Sequence, residues 1–194
     1  MGLQQIQQVL VRLYTDSEFR ESFFADPFSS MVTYNLTAND LEHLKQLSQQ
    51  HVSSFAESLV QKRLHEVKRL LPLTSKLLAE ECKPLFLKFA QQYVPGGIKK
   101  HHQDACAFAQ WLPSAWSELD LPPWANEVAQ LEVDTLQFSL HQKKLAWRFF
   151  TYPIRNVAHG IKTNQPYTSG KRPTLFIWHR FTQKPTRVFA IRLI

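Results

Sequence analysis

Apolar residues recur at helical spacing through most of the first 137 positions and then at every second position, a change of period that divides the chain. Thr15-Asp16-Ser17-Glu18 has a capping-box spelling, and Phe19, Phe23 and Phe24 follow it on one helical stripe until Asp26-Pro27 closes the segment. Thr37-Ala38-Asn39-Asp40 predicts a second helix start, with Leu41, Leu44 and Leu47 behind it. Val52, Phe55, Leu59, Leu64, Val67 and Leu71 make a longer amphipathic stretch that Pro72 ends. The stripe resumes from Leu77 to Tyr93, with a kink or break expected at Pro84, and Pro95-Gly96-Gly97 is a loop. Two further helices are expected near 102–112 and 122–137, separated by Pro113 and the Leu121-Pro122-Pro123-Trp124 lead-in.

Beyond that point the pattern predicts strands. In 144–151, Leu145, Trp147 and Phe149 fall on one side and Arg148 on the other. Residues 153–161 read as a short helix that starts at Pro153 and ends at Gly160. A polar loop, 164–173, leads to two β-rich runs, 174–181 and 187–194, which Thr182-Gln183-Lys184-Pro185 would join as a hairpin. The expected fold class is α+β: a mainly α-helical N-terminal domain (1–137) with a small C-terminal strand–helix–hairpin unit (138–194), winged-helix-like or a short antiparallel sheet.

Charge sharpens the division. Asp134 is the last acidic residue, and the sixty residues after it hold eleven of the 23 Lys/Arg, so the earlier part keeps 12 basic against all 16 acidic groups. The two parts should therefore meet different partners, the tail something acidic or a backbone. With 44% apolar and 20% charged residues the chain can bury a core and is not expected to be disordered. It has no run of eighteen apolar residues, and MGLQQIQQVLVRLYTD has no signal-peptide pattern; a soluble cytoplasmic protein is expected, with no membrane contact. Cys82 and Cys106, each among apolar neighbours, read as reduced core thiols.

Chemistry is sparse. The adjacent pair His101-His102 cannot face one ion as i, i+4 residues would, and no acidic or thiol cluster completes a shell, so no metal site is expected. No HExxH, CxxC, glycine-rich phosphate loop or GxSxG elbow occurs, and no catalytic residue is assigned. The basic tail with Trp147, Phe149, Phe150, Trp178 and Phe181 could hold nucleic acid by phosphate contacts and stacking, or its aromatics could simply be a half-buried sheet face. A third use is strand addition: an extended peptide can join an exposed sheet edge, with Arg180, Arg187 and Arg192 placed to receive carboxylates.

Three stretches carry a family resemblance. LPPWANEVAQLEVDTL from Leu121 to Leu136 is similar to the helix that closes the N-terminal domain of bacterial proteins described as putative DNA-binding partners of TIM-barrel iron enzymes. LLPLTSKLLAEECKPLFLKFAQQYVP from Leu70 to Pro95 looks like that family's central helices. SEFRESFFADPFSSMVTYNLTANDLEHL from Ser17 to Leu44 resembles a leader-binding-type or precursor-type helical segment in its "FRE.F..DP" and "LT..DL" spelling. Together with the basic β-rich tail, these resemble the MbnC family of accessory subunits in methanobactin biosynthesis.

That resemblance implies a heterodimer with an MbnB-like TIM-barrel iron oxidase, which uses dioxygen to turn cysteines of an MbnA-like precursor peptide into oxazolone–thioamide groups. Iron would reside in the partner subunit and no cofactor in this chain. Strand geometry then nominates peptide-binding positions: Thr174, Phe176, Trp178 and Arg180 on one face of the first tail strand, and Arg187, Phe189 and Ile191 on one face of the second. Trp178 could equally be a core aromatic. Trp124, Tyr152 and Arg155 are candidates for the oxidase interface, with domain packing the alternative for Trp124. Nucleic-acid binding by the tail is the competing function.

Overall fold

The computed structural model describes residues 2–31, 34, 36–116, 119–165, 167–168, 170–180 and 187–192. Within them the chain is mostly helical with one three-stranded antiparallel sheet near its C-terminal end, an α+β architecture as expected. It forms two compact units, residues 1–64 with 87–94 and residues 65–86 with 95–194, the chain passing between them within α5 (Gln49–Leu70) and α7 (Cys82–Gln92).

The first unit is helical. α1 (Gly2–Thr15) buries Val9 and Leu13 completely, and Phe19 and Phe23 of α2 (Ser17–Ala25) meet them, with Leu44 of α4 (Ala38–Lys45) and Val52 of α5 in the same core. The cap of α2 is one residue later than the spelling suggests. Thr15 stays in α1, its hydroxyl bonded back to the Val11 carbonyl at 2.8 Å, and Asp16 takes the Phe19 N–H at 2.9 Å. Arg12 reinforces that cap, donating to Asp16 at 2.8 Å with its guanidinium 4.2 Å over the Phe19 ring. The Thr37–Asp40 capping box forms as expected. A five-residue α3 (Pro27–Met31) follows Asp26, whose carboxylate accepts the Phe28 and Ser29 N–H groups.

The second unit combines α6 (Pro72–Leu78), α8 (Lys100–Trp111), α9 (Ala125–Leu140), β1 (Leu145–Phe150), α10 (Ile154–Thr163), β2 (Thr174–His179) and β3 (Arg187–Arg192). Pro84 falls in the first turn of α7, where a missing N–H has no helical partner to lose, so it opens a helix and does not kink one. The break comes earlier, at Ala79, whose φ of +48° turns the chain into a short 3-10 segment. His101 and His102 lie in the first turn of α8. The strands run in the order β1-β2-β3, and the expected hairpin turn at 182–185 lies outside the described residues. Gly160 does not end α10. Asn164, left-handed at φ +57°, ends it, while Gly160 makes room: a Cβ there would sit 2.4 Å from the Gln165 carbonyl oxygen.

No described helix is long and apolar enough to cross a membrane. Both cysteines are free, Cys82 fully buried and Cys106 half-buried, and burial raises both thiols above their ordinary range.

Two outcomes follow from the caps and the close approach. Gly160→Ala should cost about 1–3 kcal/mol, because backbone and not a flexible side chain must give way; urea unfolding measures it, and an unchanged midpoint would contradict the account. The Phe19 N–H holds the Asp16 carboxyl below its ordinary range, and the Thr37 hydroxyl does the same for Asp40. A depressed folded pKa gives stability that is present above the unfolded value, near 3.8, and lost as pH falls through the folded one. Amide exchange at Phe19 and Thr37, whose N–H groups donate to the Asp16 and Asp40 carboxylates, should therefore quicken at pH ~3 relative to pH ~6, after correction for intrinsic rates; unchanged protection would contradict it.

Candidate functional site

The sheet is positioned by polar side chains of α9. Glu127 accepts the N–H groups of Thr151 and Tyr152 at 2.7 and 3.1 Å, fixing the turn where β1 passes into α10. One helical repeat on, Asp134 receives the Arg148 guanidinium through both Nε and Nη2, the latter at 2.9 Å, and the Gln130 amide at 2.9 Å. Thr135 Oγ1 accepts the Trp178 indole N–H at 3.0 Å. On the other side of the helix, Glu132 accepts the N–H groups of Leu73 and Thr74 at 2.7 and 2.9 Å and the Thr74 hydroxyl at 2.7 Å. α6 has no side-chain cap of its own, and Glu132 supplies it. Burial raises the Glu132 carboxyl above its ordinary range despite these donors.

These bonds decide which face of the sheet looks inward. Phe150, Thr174, Phe176 and Trp178 are buried, and the core they join includes Trp124, Val128, Phe138, Ile154 and Val157. Arg148 projects on this inner side because Asp134 waits there to pair it, which is the reverse of the polar-outward habit of a half-buried strand. Its neighbours Trp147 and Phe149 are consequently turned to solvent, 61% and 57% exposed. The register then lines up two apolar rows across all three strands: Trp147–Ile177–Phe189 and Phe149–Leu175–Ile191. Leu145, also exposed, extends the first strand's contribution.

Scattered apolar residues on a surface mean little, but two contiguous rows are different. Covering them would release about 5–10 kcal/mol before the entropy of association is subtracted, enough to hold a specific complex. The outer edges of β1 and β3 have no further strand beside them among the described residues. Their backbone groups can pair with an added strand. A cleft of about 190 Å³ between α9 and β1, lined by Asp134, Gln137, Lys143, Trp147 and Trp178, is smaller than the usual pocket for a drug-sized ligand. Among the described residues no group of three or more His, Cys, Asp or Glu is arranged to hold a metal ion.

The residues nominated from sequence are divided by this geometry. Thr174, Phe176 and Trp178 are on the inner face, 4%, 7% and 1% exposed, and a peptide in solvent cannot reach their side chains. Arg180 lies over the Phe138 ring, 5.4 Å from its centroid, on the same inner side. Phe189 and Ile191 are on the outer face and exposed, and Arg187 shares their register opposite His179. The seven positions thus share no single face, because Phe176 pairs with Ala190 and Phe189 pairs with Ile177. Arg192 pairs with Thr174 across the ladder. Of the interface candidates, Trp124 is a core residue, Tyr152 is half-buried against that core, and Arg155 is exposed. Sequence reasoning named Trp147 and Phe149 only for the nucleic-acid reading and did not select Leu145, Leu175 or Ile177; the alternation in β1 signalled the common side of Leu145, Trp147 and Phe149 but not its direction.

Residues 45–114 match the family model for the SCO6045-like C-terminal domain. That is 70 of 194 residues, under half the chain, and the match ends before α9 and the sheet. No curated protein matches the chain.

The two tryptophans on opposite faces give a direct check. Trp178→Thr should destabilise by about 3–5 kcal/mol, since it empties core volume. Trp147→Thr, losing only an exposed ring with its Phe149 contact at 5.4 Å, should cost at most about 1 kcal/mol. Equal losses in urea unfolding would contradict the assignment of faces. Glu132→Ala should cost about 2–5 kcal/mol by leaving three buried donors unpaired, and a smaller loss than Trp147→Thr would show that α6 is capped otherwise.

Proposed function

We propose that this chain is a non-catalytic binding subunit of a peptide-modifying complex. The observation that carries the reading is the small sheet, whose β3 has no further strand on its outer edge among the described residues and whose outer face is apolar and open to solvent. An extended peptide adds to β3 through backbone hydrogen bonds, and the exposed side chains of Phe189 and Ile191 flank it on the outer face. Main-chain pairing holds the peptide in one register, so a residue beyond the held segment is presented at a fixed distance. Resemblance to the MbnC family supplies the chemistry: the held segment is the leader of a ribosomally made precursor, and its cysteines are converted to oxazolone–thioamide groups by the iron and dioxygen of a TIM-barrel oxidase subunit. This chain docks the oxidase and holds the leader, and the iron belongs to the partner.

A second reading keeps the sheet but changes the ligand. Trp147, Phe149 and Phe189 lie exposed in a segment rich in Lys and Arg, as in proteins that stack single-stranded nucleic acid.

Co-purification with a candidate TIM-barrel iron oxidase, followed by addition of the precursor peptide, tests the first reading. The expected result is a stable complex that lowers the precursor's mass by loss of hydrogens, with peptide affinity only weakly dependent on salt. A chain that ignores the oxidase yet binds single-stranded DNA, with affinity falling steeply as salt rises, would contradict it and favour the second.

A further inference from the structure

We infer that the outer edge of β1 is a second strand-addition site, and that the cleft beneath it selects an extended peptide bearing an Asp or Glu side chain. The proposal goes beyond the leader-holding reading, which uses the edge of β3, and it needs neither the oxidase nor its precursor.

The ladder between β1 and β2 shows which backbone groups are open to pairing. Arg180 donates its N–H to the Lys144 carbonyl at 2.9 Å, so these two residues form a bonded pair just ahead of the strand register. Bonded and non-bonded pairs alternate along an antiparallel ladder, so Ala146 and Arg148 also exchange their bonds with β2. Leu145, Trp147 and Phe149 turn their N–H and C=O groups the other way, to the edge where no further strand lies among the described residues. Donors and acceptors that alternate along such an edge match peptide backbone. A phosphodiester chain has no N–H to offer their carbonyls.

The cleft of about 190 Å³ gives this edge its selectivity. It lies on the inner side, lined by Asp134 and Gln137 of α9, Ala146 and Arg148 of β1, and Lys143 from the connection between them. Trp147 lines it too although its side chain leaves the other face, so the cleft reaches the strand's edge. A strand added about 4.8 Å outside β1 sends every second side chain to the inner side, and the one opposite Ala146 meets the least bulk. Charge then chooses that side chain. Asp134 is committed, one oxygen to Gln130 and Arg148 Nη2 and the other to Arg148 Nε. Among the described residues Arg148 Nη1 and the side chains of Lys143 and Gln137 keep hydrogen-bonding capacity with no partner. Two cations against one committed anion leave the lining with an excess positive charge, and a carboxylate would accept from its donors. A Lys or Arg side chain would meet repulsion there, and a second copy of this chain would bring the same cations to the same edge.

The test uses the full chain and a synthetic peptide of about eight residues, alternating Thr and Val with one central Glu, beside twins with Gln or Lys in its place, in titration calorimetry. The Glu peptide is expected to bind about tenfold more tightly than either twin, and in Lys143→Met its lead over the Gln twin should shrink to about twofold. N-methylation of one alternate set of its amides should abolish binding, and of the other set should not. Hydrogen exchange should slow at Leu145, Trp147 and Phe149 and stay unchanged across Arg187–Arg192. Equal binding of the three peptides, no binding, indifference to Lys143→Met or to N-methylation, or protection confined to β3 would overturn the inference. So would free glutarate binding as tightly as the Glu peptide, which marks an anion site without a strand, or a dimer that protects the β1 amides by itself. Oxidase co-purification is read separately: its failure sinks only the leader-holding reading, and loss of the Glu preference sinks only this one.

Discussion

The second unit depends on carboxylates of a single helix. Glu127, Glu132 and Asp134 are the last three acidic residues of the chain, and α9 directs them to three different elements: the β1–α10 turn, the start of α6, and Arg148 of β1. They accept from backbone N–H groups of a turn, from the orphan N–H groups of a helix start and from a guanidinium on the inner side of a sheet. Thr135 adds the indole of Trp178. At Glu132, whose donors are buried, a donor left unpaired would cost more than the made bond gains, so those contacts act chiefly by excluding other arrangements.

One consequence is the inversion of β1. With Arg148 drawn inward, the strand has no choice but to expose Trp147 and Phe149, since consecutive side chains leave opposite faces. The apolar outer face is thus coupled to the ion pair beneath it. The charge division has the same origin: the acidic groups nearest the sheet are committed inside the unit, and the segment that follows has none to balance its eleven Lys/Arg. An apolar face set in a basic segment is what the binding readings require.

Much of the fold was legible in local pattern. The Thr37–Asp40 box, the loop at Pro95–Gly97 and the period change near residue 140 each depend on neighbours within a few positions. Misplacements were also local: Asp16 outcompetes Thr15 for the cap because Thr15 still belongs to α1, and Asn164 takes the left-handed position expected of Gly160. The site was not legible, for a different reason. Alternation in β1 reads the same with either face inward, and the deciding partner of Arg148 lies fourteen residues away on a helix where Asp134 looks like a solvated charge. The Glu132 bonds span 58 and 59 residues. No period or motif reports contacts of that kind, so Trp178 could not be told from Trp147 until the register was known.

The central claim is that this sheet, by its edge and outer face, is where the chain meets its partners. Amide hydrogen exchange on the chain alone and in complex with an oxidase and its precursor tests it most directly. The account predicts that new protection concentrates in β1 and β3, while α1, α2 and α4 exchange as before. Protection gained in those first-unit helices, with the strands unchanged, would contradict it.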